Sequence, residues 1–177
     1  KFIYWWEWGH RQLARFIGVV WFVGLMVLWL KNKIPERWTF YLFGIGLLGA
    51  LQAFLGWWMV SSGLDGQVVD VFSYRLAIHL TMAFIILTLI FWAILFHSEN
   101  SVKIFESQRY RNKYSVNVLV GLGVLCYVQL ALGALVAGID AGRGYNDWPL
   151  MNGNWIPDDL FDYVPFVTNF FENPGLV

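Results

Sequence analysis

Four apolar stretches, roughly residues 12–30, 39–60, 76–96 and 115–137, decide what this chain can become. The hydrocarbon core of a bilayer is about 30 Å thick, and an α-helix of about 20 residues crosses it. Each stretch has that length. None shows the strict alternation of a membrane β-strand, and backbone groups in lipid must find their partners within the segment, so all four are expected to be helices. The expected fold is an all-α membrane protein. Composition agrees: 58% of the 177 residues are hydrophobic and only 14% charged, too apolar for a water-soluble domain. The net charge is zero, so no basic field invites nucleic acid.

The charges between the stretches set the orientation. Lys31, Lys33 and Arg37 flank the first connection, and Lys103, Arg109, Arg111 and Lys113 the third. Both loops should face the cytoplasm or matrix. Asp65, Asp70, Asp140, Asp147, Asp158, Asp159, Asp162 and Glu172 fall on the opposite, outer side. The first and third helices therefore both run from outside to inside.

That polarity gives two histidines the same depth. His10 lies at the outer end of the first apolar stretch and His79 at the outer end of the third. On parallel helices of a bundle, such a pair can hold one haem iron between two imidazoles, with Arg11, Arg15 and Arg75 at the rim to meet propionate carboxylates. The plainer alternative is that each histidine is a hydrogen-bonded boundary residue. His97 lies at the inner end of the third stretch, at the wrong depth to join the pair. Glu7 stands three residues before His10, within about 60° on the same helical face. It is either an ordinary i,i+4 partner of Arg11 or a carboxylate placed beside an iron-bound ring to move protons or stabilise positive charge.

Other features have simpler readings. The single cysteine, Cys126, excludes an internal disulfide and reads as a small core residue. Gly46, Gly49, Ala53 and Gly56 are expected on one face of the second helix, where a neighbouring helix or a flat ring can come close. Gln52-Ala53-Phe54-Leu55-Gly56 and Gln129-Leu130-Ala131-Leu132-Gly133 form a weak internal repeat, with both glutamines suited to interhelical hydrogen bonds. The eleven tryptophans read first as an interfacial belt. Residues 138–177 are too polar to span and read as an outer-side loop, with Asp158 to Phe171 as an amphipathic segment along the interface. That loop would cap the outer mouth and bring Asp147 and Trp148 near the propionates.

Several segments carry a family resemblance. Glu7-Trp8-Gly9-His10-Arg11 with Arg15 and Gly18, the run from Leu51 to Leu64, Tyr74-Arg75-Leu76-Ala77-Ile78-His79-Leu80 and the run from Ala137 to Met151 together resemble haem A synthase of the alphaproteobacterial and mitochondrial type. The likeness covers nearly the whole chain. It implies an enzyme that oxidises the C8 methyl group of haem O to the formyl group of haem A for terminal oxidase assembly. It also implies an eight-helix protein built from two four-helix bundles, each with one histidine pair. His10 and His79 match the amino-terminal pair and Glu7 the carboxylate proposed to act in catalysis. Haem O and haem A would lie there as substrate and product, and a haem B in the carboxy-terminal half.

On this likeness the chain corresponds to the second to fifth helices. Residues 1–114 would belong to the amino-terminal haem-binding bundle, 115–137 would be the first helix of the carboxy-terminal bundle, and 138–177 the outer-side loop. The chain is expected to be a piece of a longer protein. The implied partners are the lipid bilayer, haem O, haem O synthase and an electron donor, with self-association left open and no nucleic acid. The implied location is the bacterial inner membrane or, as an alternative, the mitochondrial one. An alternative of another class is a bis-histidine membrane cytochrome b that only transfers electrons.

Overall fold

In the computed structural model, residues 2–61, 73–98, 106, 111–138, 147, 149–156 and 161–169 are described. They form four long helices: α1 Phe2–Leu30, α2 Glu36–Ser61, α3 Ser73–Ser98 and α4 Lys113–Gly138. Each is long and apolar enough to cross a membrane. The expected fold class holds: the described chain is all-α, apart from an isolated bridge between Met151 and Asn154.

The helices outrun the apolar stretches that announce them. α1 begins ten residues earlier than hydropathy suggests and takes in Glu7, His10, Arg11 and Arg15. Hydropathy reports which part of a helix lipid tolerates, whereas the i to i−4 bonds continue through polar residues once the helix is nucleated. Consequently the candidate residues stand on a regular helix, with fixed spacing.

The turn after α1 has a definite chemistry. Asn32 takes a left-handed φ of 52°, Lys33 N–H donates to the Leu28 carbonyl at 2.9 Å and Asn32 N–H to that of Trp29 at 2.9 Å. This double bond pattern satisfies carbonyls the helix end would otherwise orphan. Pro35 then starts α2, and Glu36 in its first turn complements the positive end of the helix dipole.

Packing follows chain order: α1 lies on α2, α2 on α3, and α3 on α4. The Trp21 ring approaches Gly46, the Tyr41 hydroxyl donates to the Leu89 carbonyl at 2.7 Å, and the Tyr127 hydroxyl donates to the Phe84 carbonyl at 3.0 Å. Thr88 and Tyr127 join their hydroxyls across the last seam. Gly138 lies against the backbone of Ser73, where a Cβ would fall 2.7 Å from the Ser73 Cα. Among the described residues α1 makes no backbone contact with α3. These are the two helices that carry His10 and His79.

Two expectations need correcting. Cys126 is exposed on α4, because among the described residues α4 packs against α3 alone. Gly46 and Gly56 do not serve one neighbour: the first admits Trp21 of α1 and the second admits His79 of α3, while Gly49 has open space beside it. Ten residues turn a helix by about 280° net of whole turns, enough to separate the two glycines between two partners.

Candidate haem site between α1 and α3

α3 presents His79 to α2, and α2 is shaped to take it. A Cβ at Gly56 would fall 2.8 Å from the His79 ring carbon Cε1, so glycine leaves the space the imidazole fills. Gln52, one turn earlier, donates from Nε2 to the His79 backbone carbonyl at 3.0 Å. The same amide nitrogen lies 3.4 Å from the ring nitrogen Nε2. The other ring nitrogen, Nδ1, is buried with no hydrogen-bond partner, and so is Gln52 Oε1. Buried polar atoms without partners are uncommon and call for a missing one.

His10 stands on α1. It lies twenty residues before the end of α1, and His79 lies nineteen before the end of α3. At 1.5 Å per residue both are about 30 Å from the inner ends of their helices. The matching depth read from the sequence thus holds in helix register. His10 itself is exposed on α1.

The remaining expected site residues divide. Glu7 and Arg11 form an i,i+4 ion pair at 3.7 Å, with their side chains 59% and 53% exposed. An exposed pair of this kind contributes about 0–1 kcal/mol, so its interest is positional. Arg15 is exposed on the same helix. Arg75 instead turns to α2, where its guanidinium stacks 4.3 Å over the Trp58 ring and donates to the Trp58 carbonyl at 3.0 Å. That carbonyl lies in the last turn of α2, which lacks intrahelical donors, and guanidinium is well suited to it. His97 lies away from these groups, its ring tilted against Trp38 at 4.3 Å between centroids.

The segment after α4 is described in part. Asp147 accepts hydrogen bonds from the amides of Gly153 at 2.9 Å and Asn152 at 3.0 Å, which hold its carboxyl below the usual range. Asn152 and Gly153 both take positive φ, at 53° and 84°, in the tight turn closed by Met151 and Asn154. Trp148, placed with Asp147 in the sequence reading, lies outside the described residues, as do Asp65, Asp70, Asp140, Asp158 and Asp159. Residues 161–169 hold only a short 3-10 turn, Phe166–Thr168, after Pro165. The expected amphipathic segment is not a continuous helix there, since proline removes a donor and disfavours the α conformation before it. Buried Asn169 secures this stretch by accepting from the Tyr163 amide and donating to the Tyr163 and Phe166 carbonyls, each at 2.9 Å.

The chemistry of the donor set fits an iron porphyrin. A haem ligand needs a neutral imidazole with one nitrogen free of protein partners and a second contact that fixes the ring. His79 has both. Sequence reading identified His79 but placed Gln52 only as an interhelical residue; the signal that could have joined them is that Gln52 and Gly56, four apart, share the face of α2 turned to α3. The counterpart Gln129 is exposed on α4, and Gly133 has open space beside it, so the repeat does not reproduce this contact among the described residues.

The helix architecture defines a multi-pass membrane protein, with His10 and His79 at matching register on α1 and α3. Comparison with known proteins narrows the class. Residues 1–177 match the cytochrome oxidase assembly protein family, and the chain belongs to it. It is 51% identical over its whole length to the Heme A synthase of Dinoroseobacter shibae, covering 46% of that protein. It is 49% identical to those of Jannaschia sp. and Paracoccus denitrificans, again over the whole chain and 47% and 46% of theirs. The chain spans about half the length of the curated relatives it matches. No solved structure matches it. With bacterial relatives and four spanning helices, it is a multi-pass protein of the bacterial inner membrane.

Proposed function

We propose that this chain carries the substrate site of a haem A synthase, which oxidises the C8 methyl group of haem O to the formyl group of haem A. One observation carries the reading: His79 keeps a buried ring nitrogen without a partner, with His10 at the same helix register on α1, in a chain about half identical to Heme A synthases. On this reading residues 1–114 belong to the amino-terminal haem-binding bundle of an eight-helix protein, 115–137 begin the carboxy-terminal bundle and 138–177 form the outer-side loop. The carboxy-terminal histidine pair and its haem B lie in the other half. Haem O synthase supplies the substrate; because converting a methyl to a formyl group removes four electrons and adds an oxygen atom, an external oxidant and oxygen source are required beside the electron donor.

Each residue then has a definite task. His10 and His79 would hold the substrate's iron and so fix where the methyl group lies. Bound iron porphyrin supplies the redox chemistry; the protein controls ligation, solvent access and nearby charge. Glu7 stands one turn outward of His10, and its ion pair with Arg11 fixes the carboxylate along α1. There it stabilises positive charge developing on the macrocycle and accepts protons released at the methyl carbon. Arg11 and Arg15 are exposed on α1 near His10, where guanidinium groups would meet propionates bidentately. Arg75 serves the same rim while anchored on Trp58.

The test is to purify the full-length protein and identify its extracted haem by chromatography beside a reduced-minus-oxidised spectrum. Haem O, haem A or hydroxylated forms are expected, and Glu7→Ala is expected to retain haem but stop at haem O or a hydroxylated form. Haem B alone, even with a haem O source co-expressed, would overturn the synthase reading in favour of an electron-transfer cytochrome. Normal haem A yield from the Glu7 variant would remove that residue's role.

A further inference from the structure

The α2–α3 seam holds a second feature at its inner end, far from His79. Arg37, Trp38, Tyr41, Trp92 and Phe96 line a cavity of about 230 Å³. Arg37 is the second residue of α2, Tyr41 lies five residues after Glu36, and Trp92 lies six before Ser98. At 1.5 Å per residue the cavity therefore reaches about 8–9 Å inward from the helix ends. Helices of 26 residues, about 39 Å long, overhang a hydrocarbon core of about 30 Å by about 4–5 Å at each end. The cavity thus runs from headgroup level into the first part of the acyl layer.

Its polar groups select an anion. The Tyr41 hydroxyl proton is already given to the Leu89 carbonyl at 2.7 Å. What remains to donate is the Arg37 guanidinium and the indoles of Trp38 and Trp92, all donors without acceptor capacity. Among the described residues Arg37 makes no ion pair, and neither indole N–H makes a hydrogen bond. Glu36 is adjacent in sequence but projects about 100° away around the helix. Arg37 lies instead 5.9 Å over the Phe96 ring, which keeps its charge at the cavity. Lys31 and Lys33, exposed on the turn just before α2, add positive charge on the same side. Basic pockets between helices on the cytoplasmic side suit lipid headgroups. Size decides which part of a lipid enters. Pockets that enclose a whole small ligand measure about 300–1,000 Å³. This one is smaller and open beside the half-exposed Trp92, so it admits the upper part of one chain whose remainder stays in the bilayer.

We propose that this cavity binds an anionic phospholipid of the inner leaflet, with the phosphate on the Arg37 guanidinium and the first part of one acyl chain against Trp38, Trp92 and Phe96. Guanidinium meets phosphate through two parallel hydrogen bonds, which an ammonium group cannot reproduce. Such a lipid bridges α2 and α3 at the end of the seam opposite His79. The assignment does not rest on the haem reading.

The test takes the full-length protein, delipidated in a neutral detergent, and titrates it with phosphatidylglycerol or with phosphatidylcholine of the same chains, counting bound lipid by native mass spectrometry. The parent is expected to retain one phosphatidylglycerol in preference to phosphatidylcholine. Arg37→Gln is expected to weaken that binding about tenfold, as loss of a charge-assisted pair of hydrogen bonds should, and Lys33→Gln by a smaller factor. Haem content should be unchanged in both. Arg37→Lys keeps the charge without the planar fork and is expected to bind between the parent and Arg37→Gln. Should Arg37→Gln fail to assemble, Arg37→Lys decides: weaker binding supports the site and parental binding overturns it. Equal affinity in the parent and Arg37→Gln would overturn the proposal, as would equal losses in Arg37→Gln and Lys33→Gln, the mark of a diffuse basic surface. So would the absence of any preference over phosphatidylcholine. Displacement of the phospholipid by a neutral lipid-soluble quinone, to the same extent in the parent and Arg37→Gln, would assign the cavity to another class of ligand and overturn it too.

Discussion

The α2–α3 seam ends in a histidine on each side of the membrane, and the two could hardly be more differently placed. At the outer end His79 is half-buried against Gly56 and Gln52, with one ring nitrogen unpaired. At the inner end His97 is exposed and lies among aromatic rings, 4.3 Å from Trp38 and 6.0 Å from Phe96. Trp38 is buried there and also meets Tyr41 and Trp92, while Arg37 sits 5.9 Å over Phe96. A cavity of about 230 Å³ lined by Arg37, Trp38, Tyr41, Trp92 and Phe96 opens beside them. The inner end is an aromatic and basic interface of the kind that fixes a helix pair in a membrane. The outer end leaves polar groups unmet where lipid cannot meet them. Histidine as a residue type does not mark a site; a buried nitrogen lacking a partner does.

The comparison is broken most directly by exchanging the two fates. His79→Ala should empty the site, lowering haem content by more than the roughly 10–100-fold that loss of an outer-shell partner costs a metal site. His97→Ala should leave haem content and the difference spectrum unchanged, removing only a ring contact. The haem-to-protein ratio of the two purified variants decides it. Equal losses would show that the ends are not distinct.

The glycines of α2 sharpen the same contrast at smaller amplitude. Gly56→Ala places a methyl group against the His79 ring, and overpacking of this kind costs about 1–3 kcal/mol. Gly46→Ala does so against Trp21 of α1, with a Cβ 2.5 Å from its ring nitrogen. Both variants should lose thermal stability. Only Gly56→Ala should also change the haem spectrum, because only there is the displaced ring a candidate ligand. A spectrum unmoved by Gly56→Ala would mean that the ring position is not set by this glycine.

These contrasts also mark what a linear reading could and could not reach. Four helices, their membrane nature and the common depth of His10 and His79 follow from apolar length and alternating direction, which are properties of sequence position. The start of α1 at Phe2 did not, since hydropathy measures lipid tolerance and the helix extends through Glu7 to Arg15 regardless. Helical phase alone put Gly46 and Gly56 together, but which neighbour each meets depends on how α1 and α3 are disposed about α2. Arg75 was legible as a rim cation, yet its stacking on Trp58 depends on where α2 ends in space. The Gln52–His79 contact is likewise a tertiary fact, joining residues twenty-seven apart.

The smallest expected effect lies in the outer loop. Asp147 accepts from the amides of Gly153 and Asn152, and these bonds hold its carboxyl below the ordinary value of 3.8. A depressed carboxyl stabilises the folded turn above its ordinary pKa, and the contribution fades as pH falls through the lowered one. Between pH 5 and 8, therefore, the turn from Asp147 to Asn154 should keep constant order, with loosening confined to strongly acid solution. Asp147→Asn retains an acceptor for one of the two amides and should change little at neutral pH; Asp147→Ala should speed amide exchange at Asn152 and Gly153 while leaving the four helices protected. Because the carboxylate is spent on its own turn, neither variant should disturb haem content. A clear loss of haem in Asp147→Ala would bring this loop into the outer site and erase the boundary between the two.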